Sequence, residues 1–147
     1  GEHGRPIMII NNTIAGNTSA GGICGIYGSG TALFKNNIVW GNISPTNLQV
    51  SVSLNMSYSV VQGGYQGTGI IDINPFEGSS FVPFINSVCI DSGDPDMIFD
   101  DKSTPEGNSA IFPSLGSLRN DIGAFGGPFS DKITADLIIN LGLLNKK

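Results

Sequence analysis

A short pattern recurs along the first half of the chain, and it constrains the fold more than any other feature. The segment 11–17 reads NNTIAGN, and the segment 36–42 reads NNIVWGN, 25 residues later (36 minus 11). A weaker third copy, YSVVQGG at 58–64, follows after 22 residues (58 minus 36). Each copy places a short apolar stretch between polar residues and a glycine. Self-similarity at a period of about 20–50 residues is typical of stacked repeat architectures.

A period of 22–25 residues matches one coil of a parallel β-helix, in which three short strands are joined by bends. One coil cannot bury its inner face, so neighbouring coils stack and share a core, with their strands about 4.8 Å apart. We therefore predict an all-β fold, a parallel β-helix of about three coils with an irregular C-terminal capping region. The predicted strands are 7–10, 13–15, 23–27, 32–34, 38–40, 48–52 and 57–61.

The paired asparagines have a physical role in such a stack. Asparagine tolerates the left-handed backbone of a sharp bend better than most residues. When the same bend recurs in the next coil, the side-chain amides hydrogen-bond along the stack. We expect Asn12 to lie over Asn37, and Asn17 over Asn42. The alternative is an antiparallel sandwich with these residues in hairpin turns. It is disfavoured because the polar pairs precede their strands instead of separating two strands.

The composition narrows the class of partner. Charged residues make up only 13% of the chain and the net charge is −5, so nucleic-acid binding is disfavoured. A neutral glycan or a divalent cation is electrostatically easier to bind. Cys24 and Cys89 are too few for a disulfide framework or a zinc site, and their apolar neighbours predict buried free thiols. The longest apolar stretch near the C-terminus, 137–144, is too short for a transmembrane segment.

The repeat fades after Gly64, and the chain divides into three parts. Residues 1–64 are predicted to form the β-helix coils, and residues 65–128 the last coil, an irregular acidic loop and a closing glycine-rich motif. Residues 129–147 are predicted to be a capping or linker segment. Within it, 134–141 reads as a short helix with Thr134 as N-cap, or as one last strand. An open β-helix end exposes strand edges, and this segment is a candidate to cover it.

The tract 36–128 resembles the C-terminal part of the bacterial right-handed parallel β-helix repeat proteins of the pectate-lyase-like superfamily. The matching segments are NNIVWGN (36–42), YSVVQGG (58–64) and IDINPF (71–76). The pair CIDSGDP (89–95) and RNDIGAFGGP (119–128) is similar to the closing motifs of the choice-of-anchor Q region. The resemblance implies a right-handed coil, a secreted or cell-surface location, and upstream β-helix coils in the parent protein. Residues 130–147 depart from the pattern, because they contain no recognisable sorting signal.

The acidic loop after residue 90 offers candidate oxygen ligands for calcium, although aspartate beside glycine and proline is above all a turn former. The candidate metal ligands are Asp94, Asp96 and Asp100. Arg119 and Asp121 flank a glycine-rich turn. We expect a structural pairing there, in which Arg119 holds an acidic side chain such as Asp91. No cofactor other than calcium is suggested.

The leading functional hypothesis is a non-catalytic C-terminal β-helix module of an exported bacterial cell-surface protein, with a polysaccharide or cell-surface glycan as candidate ligand. Trp40, Tyr58 and Tyr65 could stack on sugar rings, or they could belong to the core. A surface scaffold or adhesin without a sugar site is a further option.

The alternative is a fragment of a polysaccharide lyase or glycoside hydrolase. The coils contain no carboxylate between Glu2 and Asp72, so they offer no site for the metal of a lyase. Hydrolysis needs two facing carboxyl groups. No spacing selects a pair among Asp72, Glu77, Asp91 and Glu106, and we assign no catalytic residue.

Overall fold

The computed structural model describes residues 6–132, which form eight short strands, two single-turn 3-10 helices and long irregular connections. No α-helix occurs among these residues. The strands are β1 (Met8–Ile10), β2 (Thr13–Ala15), β3 (Ile23–Ile26), β4 (Leu33–Lys35), β5 (Ile38–Trp40), β6 (Leu48–Val50), β7 (Asn55–Ser57) and β8 (Val60–Val61). The 3-10 helices are Met97–Phe99 and Ser130–Lys132.

The strands form three parallel sheets; sheets 1 and 2 take one strand from each of the three repeats, and sheet 3 takes one from each of the first two. Sheet 1 has the order β1-β4-β7, sheet 2 the order β2-β5-β8, and sheet 3 pairs β3 with β6. In sheet 2, Thr13 lies opposite Ile38, which in turn lies opposite Val60. Residues one repeat apart are therefore direct neighbours. For residues 6–132, the prediction of an all-β fold with parallel strands is confirmed, and the antiparallel sandwich is wrong for strands β1 to β8.

The third repeat differs from the prediction. The expected single strand 57–61 is two strands, β7 and β8, separated by Tyr58 in the left-handed region with φ of 47°. Asn11 and Asn36 occupy the same bend, each with φ of 55°. The bend recurs because the sheets place Lys35 opposite Ser57, so the next residue of each repeat must turn the chain. A tyrosine at positive φ is uncommon, and the parallel pairing of the repeats on both sides of Tyr58 determines its conformation.

The inner core lies where the three sheets face one another. Phe34 from sheet 1, Val39 from sheet 2 and Val50 from sheet 3 belong to one buried cluster. Met56 and Val61 extend this cluster into the third repeat. Because strand side chains alternate between faces, the central residue of each three-residue strand in sheets 1 and 2 points toward this core. Burial of these apolar side chains is the main force that holds the repeats together.

Sheet 2 is buried on both faces. Its outer residues Ile38 and Val60 pack against Phe76, Cys89 and Ile122 from the C-terminal half. The sequence reflects this arrangement in the consecutive apolar pairs 38–39 and 60–61. Strands covered on both faces do not alternate between apolar and polar residues. The C-terminal half therefore covers the outside of sheet 2.

The two closing motifs pair with each other and with the second repeat. The Ile122 N–H donates to the Cys89 carbonyl over 2.9 Å, and the Gly123 N–H donates to the Asn36 carbonyl over 2.8 Å. Both cysteines are buried and free, as predicted. Within residues 6–132, no helix is long and apolar enough to span a bilayer. The predictions for 134–141 and 137–144 concern residues outside the described range.

Candidate functional site

Two ladders of polar side chains run along the stacked repeats. The Asn12 Nδ2 donates to the Asn37 Oδ1 over 3.1 Å, and the Asn37 main-chain N–H donates to the Ser59 Oγ over 3.1 Å. In the second ladder, the Asn17 Nδ2 donates to the Asn42 Oδ1 over 2.9 Å. The predicted positions of these four asparagines are confirmed. The side chains of Asn37 and Asn42 also accept main-chain N–H groups of the preceding repeat, from Asn12 and Asn17. Main-chain groups at a buried bend require such partners.

The first asparagine of each pair has a different role, which the sequence reading missed. The Asn11 Nδ2 donates to the carbonyls of Asp121 and Gly123 over 2.9 and 3.2 Å. The Asn36 Oδ1 accepts the Asp94 N–H over 2.8 Å. The side chains of these left-handed bend residues therefore bind the closing region to the first two repeats. The sequence did contain a sign of this second role: each of the first two repeats has two adjacent asparagines, and the ladder uses only the second of them.

Three buried or half-buried carboxylates organise the closing region through main-chain N–H groups. The Asp121 oxygens accept the N–H groups of Asp91 and Leu115, each over 2.8 Å. Asp101 accepts the N–H groups of Asp121 and Gly127. Asp91 accepts the N–H and the hydroxyl of Ser117 over 2.9 and 2.6 Å. Charged acceptors form stronger hydrogen bonds than neutral ones, so these contacts tie the separate loops together.

The predicted pairing of Arg119 with Asp91 is wrong. The Arg119 Nε and Nη2 both donate to the Gly93 carbonyl, over 3.1 and 2.9 Å. Asp91 is instead bound by Ser117, which lies two residues before Arg119. The planar guanidinium satisfies one carbonyl with two donors, and the Asp91 carboxylate accepts the N–H and the hydroxyl of Ser117. Asp121 has the predicted structural role, but its partners are main-chain groups.

Burial dominates the electrostatics of the two innermost carboxyl groups. It raises the pKa of Asp101 to about 7, against the lowering effect of the Gly127 N–H, and the nearby Asp121 charge raises that pKa further. Burial also raises the pKa of Asp121 to about 6, although the N–H groups of Leu115 and Asp91 favour its charged form. No described salt bridge involves either residue, so desolvation outweighs the hydrogen bonds.

We expect the protein to be less stable at about pH 8 than at about pH 5. The folded state holds protons on Asp101 and Asp121 that the unfolded chain releases near pH 3.8. This stabilisation is complete below that pH and is lost as the pH rises through about 6 to 7. Counting the Asp101 proton alone, the free energy of unfolding should fall by about 3 kcal/mol between pH 5 and pH 8, measured by urea denaturation at each pH.

The control for this pH dependence is Asp101→Asn, because an amide imitates the protonated carboxyl and does not titrate. Its stability should change less with pH than that of the parent, whereas Asp96→Asn at an exposed position should keep the parent slope. A parent stability that increases from pH 5 to pH 8 would contradict the raised pKa values. It would mean that the main-chain donors outweigh burial.

The calcium prediction does not fit the arrangement of the acidic loop. The Asp94 carboxylate pairs with the Lys35 ammonium and also accepts the Asp96 N–H over 3.1 Å. The Asp96 carboxylate accepts the Ile98 N–H over 3.2 Å and thereby caps a 3-10 helix. Asp100 ends that helix on its other side. Within residues 6–132, no three acidic, histidine or cysteine side chains converge as a metal site.

The three aromatic residues predicted to bind sugars do not share one surface. Trp40 packs against the outer cluster of sheet 2, whereas Tyr65 packs against the inner core. The Tyr65 hydroxyl donates to the Leu54 carbonyl and accepts the Leu54 N–H, over 2.9 and 2.7 Å. The Tyr58 ring lies against Gly69. All three are half-buried, which favours their role in packing.

An exposed groove beside sheet 3 contains a tyrosine that the sequence reading missed. The groove has a volume of about 320 Å³ and is lined by strands β3 and β6 and the residues that follow them. Tyr27 and Val52 lie in it with 85% and 89% of their surface exposed. Ser29 and Ser53 add hydroxyl groups, and no charged residue lines the groove. Tyr27 was assigned to a strand, but β3 ends at Ile26 after an irregularity in its pairing.

A small cavity beside the closing motifs is unsuited to substrate binding. It has a volume of about 60 Å³ and lies among Cys89, Asp121, Ile122 and Phe125. Ligand pockets usually measure about 300–1,000 Å³, so a sugar ring does not fit. Burial raises the pKa of the Cys89 thiol to about 12, so the sulfur stays protonated and is a poor nucleophile. The buried polar groups here serve the fold.

The chemistry available in residues 6–132 is therefore of two kinds. Buried carboxylates hold main-chain N–H groups, and an uncharged groove presents an exposed aromatic ring beside hydroxyl groups. No protein-family model, curated protein or solved structure matches this chain.

Proposed function

We propose that this chain is a non-catalytic C-terminal module of an exported bacterial cell-surface protein, built as a right-handed parallel β-helix. The main support for the β-helix is the inner core, to which Phe34, Val39 and Val50 each contribute from a different parallel sheet. Three sheets that share one core and are connected in the same order in each repeat match a coil. The location and bacterial origin follow from the sequence resemblance alone.

The use of the acidic side chains supports a non-catalytic role. Asp101 and Asp121 are almost inaccessible to solvent, and both accept main-chain hydrogen bonds. The Asp72 carboxylate accepts the Gly63 N–H over 3.0 Å at a turn. Acid–base hydrolysis of a glycoside needs two carboxyl groups that face a bound sugar. These carboxylates instead stabilise bends.

The groove around Tyr27 is our proposed glycan-binding face. A sugar ring has an apolar C–H face and a polar hydroxyl rim, and it stacks on exposed aromatic rings. Tyr27 supplies such a ring, while Ser29 and Ser53 supply hydroxyl groups at the same groove. The groove carries no charge, so a neutral polysaccharide is favoured over a polyanion.

Replacing Tyr27 by alanine should reduce the affinity for a neutral polysaccharide at least tenfold, which corresponds to about 1.4 kcal/mol, a typical contribution of an aromatic contact. The measurement is binding to a glycan array, followed by titration with the best ligand. Phe129→Ala is the matched control, because Phe129 is an exposed aromatic residue outside the groove.

Three results would change this assignment. Binding lost on Trp40→Ala but kept on Tyr27→Ala would move the site to the outer face of sheet 2. The absence of binding to any glycan by the parent chain would favour a surface scaffold. Release of reducing ends or unsaturated products from a polysaccharide, abolished by one carboxylate substitution, would establish a lyase or hydrolase instead.

A further inference from the structure

The first repeat has an open side within the described residues. Strands β1, β2 and β3 each pair with one strand of the second repeat and with no other strand of residues 6–132. The inward residues Ile9, Ile14 and Ile26 are only half-buried. Their neighbours one repeat later, Phe34, Val39 and Val50, are at most 7% exposed. The first repeat thus presents strand edges and part of the inner core.

The asparagine ladders have a direction that defines this open side. In each ladder, the Oδ1 of the second-repeat asparagine accepts two hydrogen bonds from the first-repeat asparagine. One comes from its main-chain N–H and one from its Nδ2. The Asn37 Oδ1 accepts from Asn12 in this way over 2.9 and 3.1 Å. The Asn42 Oδ1 accepts from Asn17 over 3.0 and 2.9 Å. The Asn12 and Asn17 amides donate to the second repeat and to the carbonyls of Ile10 and Ala15 in their own repeat.

The Oδ1 atoms of Asn12 and Asn17 accept no hydrogen bond from residues 6–132 that would continue the ladders. They form a pair of acceptors at the two bends on either side of β2. A strand that pairs with β2 therefore lies beside two hydrogen-bond acceptors at fixed positions. Its register is determined if it carries asparagines at the same separation, because a slip of one residue would leave both acceptors and the inward apolar positions mismatched.

We propose that the first repeat is an acceptor surface for one further parallel coil of about 25 residues, with asparagines placed directly over Asn12 and Asn17. This inference rests on the proposed β-helix and specifies the partner of its open side. A second copy of this chain is a poor partner, because its third repeat carries Ser59 and Gly64 at the positions of Asn37 and Asn42. A β-hairpin is also a poor partner for the first repeat. Its two strands run in opposite directions, so one of them would lie antiparallel to the strands of the first repeat and would not continue the asparagine ladders.

The test adds a coil to the full chain by duplicating residues 6–30 in front of residue 6. We expect the melting temperature to increase by roughly 5 °C. Amide exchange in β1 and β2 should slow at least tenfold, because their free edges become paired. The matched control carries Asn12→Leu and Asn17→Leu in the duplicated coil only, and it should lose most of both gains.

Several results would overturn the proposal. No gain from the duplicated coil, or an equal gain from the leucine control, would do so. Strong protection of β1 and β2 in the unextended chain would mean that another segment already covers them, and sedimentation would reveal a second copy as that cover. Exchange in β5 separates this failure from failure of the proposed fold. If β5 is unprotected in the parent chain, the β-helix itself is wrong, whereas a protected β5 limits the failure to the acceptor surface.

Discussion

Replacing Asn37 by leucine should lower the free energy of unfolding by about 4 kcal/mol. Asn37 is fully buried, its Nδ2 donates to the Ile9 carbonyl over 2.8 Å, and its Oδ1 accepts the Asn12 N–H over 2.9 Å. Leucine has a similar size but leaves both main-chain groups without these partners. Each buried polar group that loses its partner costs about 1–3 kcal/mol. The measurement is urea denaturation followed by circular dichroism.

The control is the same substitution one repeat earlier. Asn12 belongs to the same ladder, but it is exposed, so water can replace its hydrogen bonds. Asn12→Leu should therefore cost less than about 1 kcal/mol. Equal effects of the two substitutions would contradict the stacked ladder, because they would mean that Asn37 is no more enclosed than Asn12.

The second large effect is expected from Gly126→Ala in the closing motif. A Cβ atom at Gly126 would lie 1.8 Å from the Asp121 carbonyl oxygen and 2.6 Å from its carbon. Main-chain atoms cannot yield as a flexible side chain can. Overpacking usually costs about 1–3 kcal/mol, and a main-chain collision belongs at the upper end, so we expect a loss of at least about 3 kcal/mol.

This collision should also release the closing motif from sheet 2. Gly126 lies in the same loop as Ile122, which packs on the outer face of sheet 2 beside Trp40. Trp40 is the only tryptophan of the chain, so its fluorescence reports on this interface. We expect its emission to shift to longer wavelength in Gly126→Ala under native conditions.

A glycine with free space provides the comparison for Gly126. At Gly28, the nearest atom to an added Cβ is a Leu54 methyl carbon at 3.8 Å, an ordinary contact. Gly28→Ala should change stability by less than about 0.5 kcal/mol and leave the Trp40 emission unchanged. If Gly126→Ala behaves like Gly28→Ala, the closing motif does not dock as described.

The acidic loop shows why composition alone misleads about metal binding. Several aspartates near glycine and proline suggest an oxygen-rich cation site. Here Asp94 is neutralised by Lys35, and Asp96 caps a 3-10 helix. The same oxygens that would bind calcium instead accept main-chain N–H groups, which are the commonest donors in an irregular loop. Which donor each aspartate binds is determined only when the loops are folded.

The stacking of the repeats could be predicted from the sequence because the sequence is periodic. The offset of 25 residues between two asparagine pairs sets which residues are vertical neighbours, and the sheet register reproduces it, with Thr13 opposite Ile38. A repeated sequence reveals its own stacking, since equivalent residues adopt the same local structure in each repeat. The ladder of Asn12 and Asn37 follows for the same reason.

The contacts of the closing region and the groove could not be predicted in this way. Asn11 binds the carbonyl of Asp121 across 110 positions of sequence, and no period connects such partners. Arg119 seemed suited to a carboxylate, yet it binds the Gly93 carbonyl, and Asp91 is bound by Ser117. Tyr27 is exposed because an irregularity in β3 breaks the alternation of inward and outward residues. Sequence spacing determined which strands stack, since neighbouring repeats are related by a constant offset. Only the tertiary structure decided which loop groups meet, since those contacts depend on how the non-repeating chain packs over sheet 2.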